Sequence, residues 1–229
     1  MVAHMITLNE RKKMAKSDII TIEDHHVAHH FETADQEFES AKLGMWLFLV
    51  TEVLFFGGLF VAYAIFRWKF PEMFVEAHHH LSWKMGGTNT LVLIFSSFTM
   101  AMSIRYAQLN QIRNCINALS MTLICSVLFM VIKYFEYMEK IHHGFLPSKF
   151  FFGEGVNSTL HLFFGLYFTM TGLHGIHVLV GMGLILWLVF RAKKGHFHAN
   201  YITPLEMVGL YWHLVDLVWI FLFPLFYLI

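Results

Sequence analysis

The sequence predicts an all-α polytopic membrane protein, a bundle of five transmembrane helices, and three observations support this prediction. Of the 229 residues, 57% are hydrophobic and only 14% are charged, a composition typical of membrane proteins. Five apolar runs are each long enough to cross a bilayer as a helix. No segment alternates apolar and polar residues, and open sheet edges cannot face lipid, so a β fold is disfavoured.

The first element is a polar, histidine-rich segment, residues 1–41. It contains no apolar stretch like that of a cleavable signal peptide. We expect a cytoplasmic tail that lies on the membrane surface or is partly disordered. A transmembrane domain, residues 42–229, follows with spans at about 42–66, 88–107, 115–135, 158–190 and 205–228. The fourth span is too long for a straight crossing, so it should tilt or extend beyond the bilayer.

The distribution of basic residues predicts the orientation. Ten of the 16 Lys and Arg residues lie on the N-terminal side of the membrane and the other six lie opposite. Cytoplasmic loops carry the excess of Lys and Arg. We therefore expect the N-terminus in the cytoplasm and the C-terminus outside. Acidic and basic residues are equal in number, which disfavours a nucleic-acid partner.

The most informative residue is Glu52, in the middle of the first span. A central acidic residue costs roughly 2.5–3.5 kcal/mol on insertion scales, so it usually faces protein, water or a lipid pocket. Two compatible interpretations stay open. One is a protonated carboxyl hydrogen-bonded to a neighbouring helix, and the other is a site linked to protons or lipid.

Small residues in the first and fourth spans predict close helix contacts. Glycines let helix backbones approach each other in membranes. Such positions are Gly57, Gly58, Gly165, Gly172 and Gly175. We interpret them as general packing positions of the bundle rather than hinges.

Polar residues in the fourth and fifth spans form a second group. Glu206, His213 and Asp216 are spaced to lie on about one side of a helix, and a histidine and a carboxylate can satisfy each other in lipid. His174 and His177 are three residues apart on another helix, where two histidines on one face could ligate a metal. We favour a structural polar cluster between helices over an acid–base or metal site for all five.

Basic and histidine-rich segments outside the spans allow several interpretations. Arg191, Lys194 and His196 follow the fourth span on the predicted cytoplasmic side. They either bind anionic lipid head groups or only obey the positive-inside rule. Histidines at 25–30, 78–80 and 142–143 imply no fixed ligand geometry, so we predict no metal site. Lys133 and Glu136 close the third span, where we expect them to anchor at the membrane interface.

Taken together, these residues resemble subunit III of the heme-copper oxidases, the cytochrome c oxidase subunit 3 family. The resemblance is carried by segments 51–60, 88–91, 134–137, 171–178 and 206–219, in this order. It covers about residues 42–229. The motifs of the fourth and fifth spans are the most specific part of it.

The resemblance implies a non-catalytic subunit of a proton-pumping terminal oxidase in a bacterial cytoplasmic membrane. In this family, heme and copper belong to subunits I and II. Subunit III packs on subunit I, holds phospholipid, and supports proton uptake or oxygen access. Glu52, with Gly57 and Gly58, would then line a path for lipid, protons or oxygen, and Arg191 and His196 match positions that resemble a lipid head-group site. The implied partners are subunits I and II, phospholipids and, as an open case, other respiratory complexes in a supercomplex.

The chain departs from the seven-span mitochondrial type, because a polar tail replaces the first two helices. It resembles the five-helix bacterial type, including that of quinol oxidases. This leaves open the electron donor, cytochrome c or quinol, and the completeness of the family's lipid cleft. A subunit III-like protein of a quinol oxidase or nitric oxide reductase system is one alternative. A membrane transporter is another, although inverted repeats and broken helices are not visible. An independent metalloprotein is the third.

Overall fold

The computed structural model describes residues 33–145, 160–195, 197 and 201–229. Six helices occur in this part of the chain and no strand. The helices are α1 Ala34–Lys69, α2 Pro71–His78, α3 Trp83–Gln108, α4 Ile112–His142, α5 Leu160–Lys193 and α6 Thr203–Tyr227. The predicted all-α class is therefore confirmed.

Five of these helices are long and apolar enough to cross a membrane, namely all except α2. They correspond in order to the five predicted spans. Helix α1 begins at Ala34, within the predicted tail, and α4 continues to His142 rather than ending near 135. Hydropathy marks only the apolar part of a helix, while backbone hydrogen bonds continue into its polar flanks. Residues 1–32 of the predicted tail, including the histidines at 25–30, lie outside the described residues.

Helix α2, an eight-residue helix between the first two spans, is absent from the sequence prediction. Pro71 occupies its first turn, where a missing N–H costs nothing, and Glu72 lies at the positive end of the helix dipole. Its buried side chains are Met73, Phe74 and Ala77. Helix α2 packs against α5, and the Phe74 ring lies 5.2 Å from that of Phe163.

Helix α6 forms the centre of the bundle. It packs against α3 and α5, and α4 packs against the same two helices. Trp212 and Trp219 of α6 are fully buried. In the apolar 18-residue segment of α6, 50% of the residues are buried, against 17% in the corresponding segment of α1. Helix α1 therefore lies at the periphery, and open grooves remain beside it.

Close helix contacts occur at glycines other than the predicted ones. A Cβ at Gly181 would lie 2.7 Å from the Trp212 ring, and one at Gly209 would lie 2.7 Å from Ile104. The predicted positions have open space instead, with nothing within 4 Å of an added Cβ at Gly57, Gly58, Gly165 or Gly175. At Gly172 the nearest atom is 4.0 Å away. The prediction of close contacts within the chain is therefore wrong for Gly57, Gly58, Gly165 and Gly175, because spacing alone does not show which face meets a neighbour.

Candidate functional site

The candidate site joins Glu52, at the midpoint of α1, to His177 of α5. Glu52 Oε2 lies 3.0 Å from His177 Nε2. The two side chains are 17% and 20% exposed, so they are neither sealed in the core nor on an open surface. The partner of Glu52 is thus a histidine that we had assigned to a separate structural cluster.

Hydrogen bonding fixes how this pair holds its proton. His177 Nδ1 lies 2.8 Å from the backbone oxygen of Leu173. A carbonyl only accepts, so Nδ1 carries a proton. The contact between Nε2 and Glu52 then requires one further proton, on the carboxyl or on the imidazole. Both forms have zero net charge, which limits the cost of placing the pair in the membrane.

An apolar groove of about 300 Å³ adjoins the pair. Its walls come from α1, α5 and α6 and include Met45, Phe48, Val180, Tyr211 and His177 itself. Tyr211 donates a hydrogen bond of 3.0 Å to the backbone oxygen of His177. The aromatic edge of Phe56 meets the imidazole, with ring centroids 5.2 Å apart. The histidine is thus contacted from several sides while one side of the pair faces the groove.

The two other predicted path residues, Gly57 and Gly58, face open space on α1. Gly57 is half-buried and Gly58 is exposed. Open space lies where each would carry a side chain. The surface of α1 just beyond Glu52 is therefore flat and accessible.

The predicted polar cluster of α6 bonds to α3 rather than within itself. His213 Nδ1 lies 2.6 Å from Ser97 Oγ. Asp216 makes a long contact of 3.5 Å with Ser96 Oγ, which also accepts a bond of 3.1 Å from the Trp212 indole. The expected His213–Asp216 pair is not formed. Each of the two residues contacts a serine of α3 instead. The geometry is that of an interhelical clamp.

Two further members of the predicted cluster lie apart from this clamp. Glu206 is half-buried in the first turn of α6. His174 is enclosed in the core, with its ring 5.7 Å from Phe129 and 5.3 Å from Trp219. Neither ring nitrogen of His174 has a hydrogen-bond partner among the described residues. His174 and His177 therefore face different neighbours, and the part of the chain that the structure describes holds no group of three potential metal ligands.

Comparison with known proteins identifies the family. A family model described as cytochrome c oxidase subunit III matches residues 2–229. The chain belongs to the cytochrome c oxidase subunit III family. The resemblance seen in the sequence is thus confirmed.

Individual relatives of this subunit III chain are similar over most of their length. It is 30% identical over 219 residues to the cytochrome c oxidase subunit 3 of Thermostichus vulcanus, covering 91% of this chain and 97% of the relative. It is 34% identical over 192 residues to that of Synechocystis sp., covering 81% and 74%. It is 30% identical over 196 residues to that of Corynebacterium diphtheriae, covering 82% and 87%. The family is that of a subunit of an oxidoreductase complex, and the five apolar helices make the chain a multi-pass membrane protein.

A buried ionic network in this subunit III chain lies where we expected an interface anchor. Lys133 Nζ contacts Glu136 Oε2 at 3.0 Å, Tyr167 Oη at 3.1 Å and Tyr227 Oη at 2.8 Å. The side chains of the ion pair are 7% and 0% exposed. The three N–H donors of the ammonium are all used. The expectation of an interface anchor is wrong, because both side chains lie inside the bundle, where Lys133 meets Tyr167 of α5 and Glu136 meets Tyr227 of α6.

The predicted lipid head-group residues of the subunit III chain are only partly described. Arg191, in the last turn of α5, donates a hydrogen bond of 3.3 Å to Tyr201 Oη, and its guanidinium lies 5.2 Å from the centroid of the Trp187 ring. Lys194 follows on the exposed surface. His196 lies outside the described residues. The structure therefore fixes the position of the arginine, and the head-group role stays a prediction.

Proposed function

We propose that this chain is the non-catalytic subunit III of a bacterial heme-copper terminal oxidase, in which oxygen reduction is coupled to proton pumping. Heme and copper then belong to subunits I and II, and the electron donor is cytochrome c or quinol. The chain stabilises subunit I, binds phospholipid and supports proton uptake or oxygen access. Family membership supports the assembly. Five spans support termini on opposite sides of the cytoplasmic membrane, with the N-terminus inside.

The observation that carries the functional part is the Glu52–His177 pair beside an open apolar groove. A neutral pair lets apolar molecules such as acyl chains or oxygen occupy the groove without meeting an uncompensated charge. The open surface at Gly57 and Gly58 extends the same face of α1. At the end of α5, Arg191 would hold a lipid phosphate, together with Lys194 and His196.

The assembly is tested by purifying the tagged chain in mild detergent. We expect subunits I and II to co-purify and a reduced-minus-oxidised visible spectrum to show heme bands. Bands of a-type heme favour a cytochrome c oxidase, and bands of b- or o-type heme favour a quinol oxidase. A heme-free preparation that lacks both subunits, in a detergent that keeps other complexes intact, would contradict the proposal and favour a transporter.

The role of the pair is tested with Glu52→Gln and Glu52→Ala, and Glu206→Gln serves as a control. The amide of Glu52→Gln can still donate to His177 Nε2, so we expect nearly normal assembly and bound phospholipid. Glu52→Ala leaves Nε2 unpaired, at a cost of about 1–3 kcal/mol, and should lower the amount of this subunit per heme. Loss of assembly in Glu52→Gln would show that the carboxyl itself is structural. It would contradict the proposal that Glu52 lines a path for lipid, protons or oxygen.

A further inference from the structure

A large groove lies at the end of the bundle opposite Arg191. It measures about 700 Å³ and runs between the last turns of α1 and the end of α6. Its walls are mostly apolar and include Phe60, Ala64, Phe221 and Leu225. Arg67 is the charged residue of this lining. Because successive spans alternate in direction, the ends of α1 and α5 lie on opposite faces of the membrane.

Two consecutive hydrogen bonds connect the end of α6 to Arg67. The carbonyl of Leu225 belongs to the last turn of α6, where it has no partner within the helix. The buried Tyr63 hydroxyl donates a hydrogen bond to it. The same hydroxyl accepts a bond of 3.1 Å from Arg67. The helix end thus orients the tyrosine, and the tyrosine holds the guanidinium beside the groove.

The charge on Arg67 is left for an outside partner. Its guanidinium has five N–H donors, and the bond to Tyr63 uses one of them. Among the described residues, no carboxylate forms an ion pair with it. A cation in this situation is complementary to a phosphate, which a guanidinium can bind through two parallel hydrogen bonds.

The surroundings match the level of lipid head groups. Trp68 is 86% exposed, and α1 ends one residue later at Lys69. Exposed Trp and basic residues at the end of a spanning helix are typical of the membrane–water interface. About 15 residues of helix, roughly 22 Å, separate Arg67 from the midpoint residue Glu52. An apolar groove below an interfacial arginine therefore has the polarity profile of a phospholipid.

We propose that the groove between α1 and α6 binds one anionic phospholipid, with its phosphate on Arg67 and an acyl chain against Phe60 and Phe221. This site is distinct from the head-group site proposed at Arg191, because it lies on the other face of the membrane. It does not depend on the proposed path at Glu52.

The test uses the intact complex in which this chain is found, purified and depleted of lipid. Phosphatidylglycerol or phosphatidylcholine is titrated in, and bound lipids are counted by native mass spectrometry. The variants are Arg67→Gln, Tyr63→Phe and Arg191→Gln, and Lys84→Gln on the same membrane face is the matched control. Lys84 is exposed at the start of α3 and is not part of the groove lining.

We expect Arg67→Gln to weaken the binding of one phosphatidylglycerol by about ten- to a hundred-fold, the range for a lost charge-assisted hydrogen bond. Phosphatidylcholine carries a phosphate offset by its choline cation, so it should bind more weakly and lose less affinity in Arg67→Gln. The Lys84→Gln control should bind both lipids as wild type does. Tyr63→Phe keeps the charge but frees the guanidinium, so it should weaken the same lipid by less. Unchanged phosphatidylglycerol affinity in Arg67→Gln, or equal weakening in Lys84→Gln, would overturn the site. Lipid loss in Arg191→Gln alone would overturn this site and leave the other head-group proposal standing.

Discussion

Replacing Glu136 with Gln removes the carboxylate that Lys133 pairs with and hardly changes the side-chain volume. In the native network, Lys133 donates to Glu136, Tyr167 and Tyr227. Tyr227 in turn donates to Glu136 Oε1 at 2.5 Å. The Tyr227 oxygen also lies 3.1 Å from that of Tyr167. Every polar hydrogen of this network therefore has an acceptor.

The expected cost follows from what Glu136→Gln leaves behind. The amide oxygen can still accept from Lys133, but the ammonium, whose side chain is only 7% exposed, loses its counter-charge. Removing one partner of a buried ion pair costs about 3–5 kcal/mol. We take the low end, about 3 kcal/mol, because the hydroxyls of Tyr167 and Tyr227 stay in place. The double variant Lys133→Met/Glu136→Gln removes both charges and should cost less than about 1.5 kcal/mol.

The measurement is the free energy of unfolding of the purified chain in mild detergent, with SDS as denaturant and helix content as signal. Wild type, both single variants and the double variant form a cycle, and the exposed Lys84→Met is the control. Lys133→Met should also cost about 3 kcal/mol, because it leaves Glu136 as an unpaired buried charge. The coupling energy should therefore be at least about 4.5 kcal/mol. Two results would refute the reasoning. One is a free energy of unfolding of Glu136→Gln within about 0.5 kcal/mol of wild type, and the other is a double variant no more stable than Glu136→Gln.

Two further predictions concern stability. Gly181→Ala should destabilise the chain by about 1–3 kcal/mol, because its Cβ would lie 2.7 Å from the fully buried Trp212 ring. Gly183→Ala, which has open space in the same helix, should be stabilising by up to about 1 kcal/mol; equal effects in denaturant titrations would exclude the contact as the cause. Outside the spans, burial and then the nearby Lys140 charge lower the pKa of His80 below its usual 6.5. Because the folded state then binds fewer protons than the unfolded state, stability should be fully present above about pH 6.5 and fall as the pH drops through and below that value. His80→Gln should reduce this loss, and an unchanged pH profile of unfolding would contradict it.

The number and order of the spans could be predicted from the sequence, because the bilayer requires about 20 consecutive apolar residues in each crossing helix. The short helix α2 could not. Its buried residues are only Met73, Phe74 and Ala77. Three apolar residues are too few to stand out as an element beside five long hydrophobic runs. The signal that was available is Pro71 followed by Glu72, which is a helix start.

The candidate site was only half predictable for a different reason. Depth in an apolar run identified Glu52, since a central carboxylate needs a partner. The sequence did not show that α5 supplies this partner, because helix adjacency is a tertiary property. The same gap explains His213 and Asp216, which are neighbours on one helix but bond to Ser97 and Ser96 of α3. Spacing along a helix reports which residues share a face and leaves the facing helix undetermined.

The two buried polar systems of this chain differ in a way that bears on function. Lys133 borders a groove of about 230 Å³, but the side chains of its ion pair are only 7% and 0% exposed. Its donors are all used, so a proton or ligand that binds there must first break a hydrogen bond. The Glu52–His177 pair is partly exposed, shares one proton between Glu52 Oε2 and His177 Nε2, and borders an open groove. We therefore propose that exchange with lipid, oxygen or a neighbouring subunit is easier at the pair than at the network. We expect substitutions in the network to change stability alone, while substitutions at the pair change what occupies the groove.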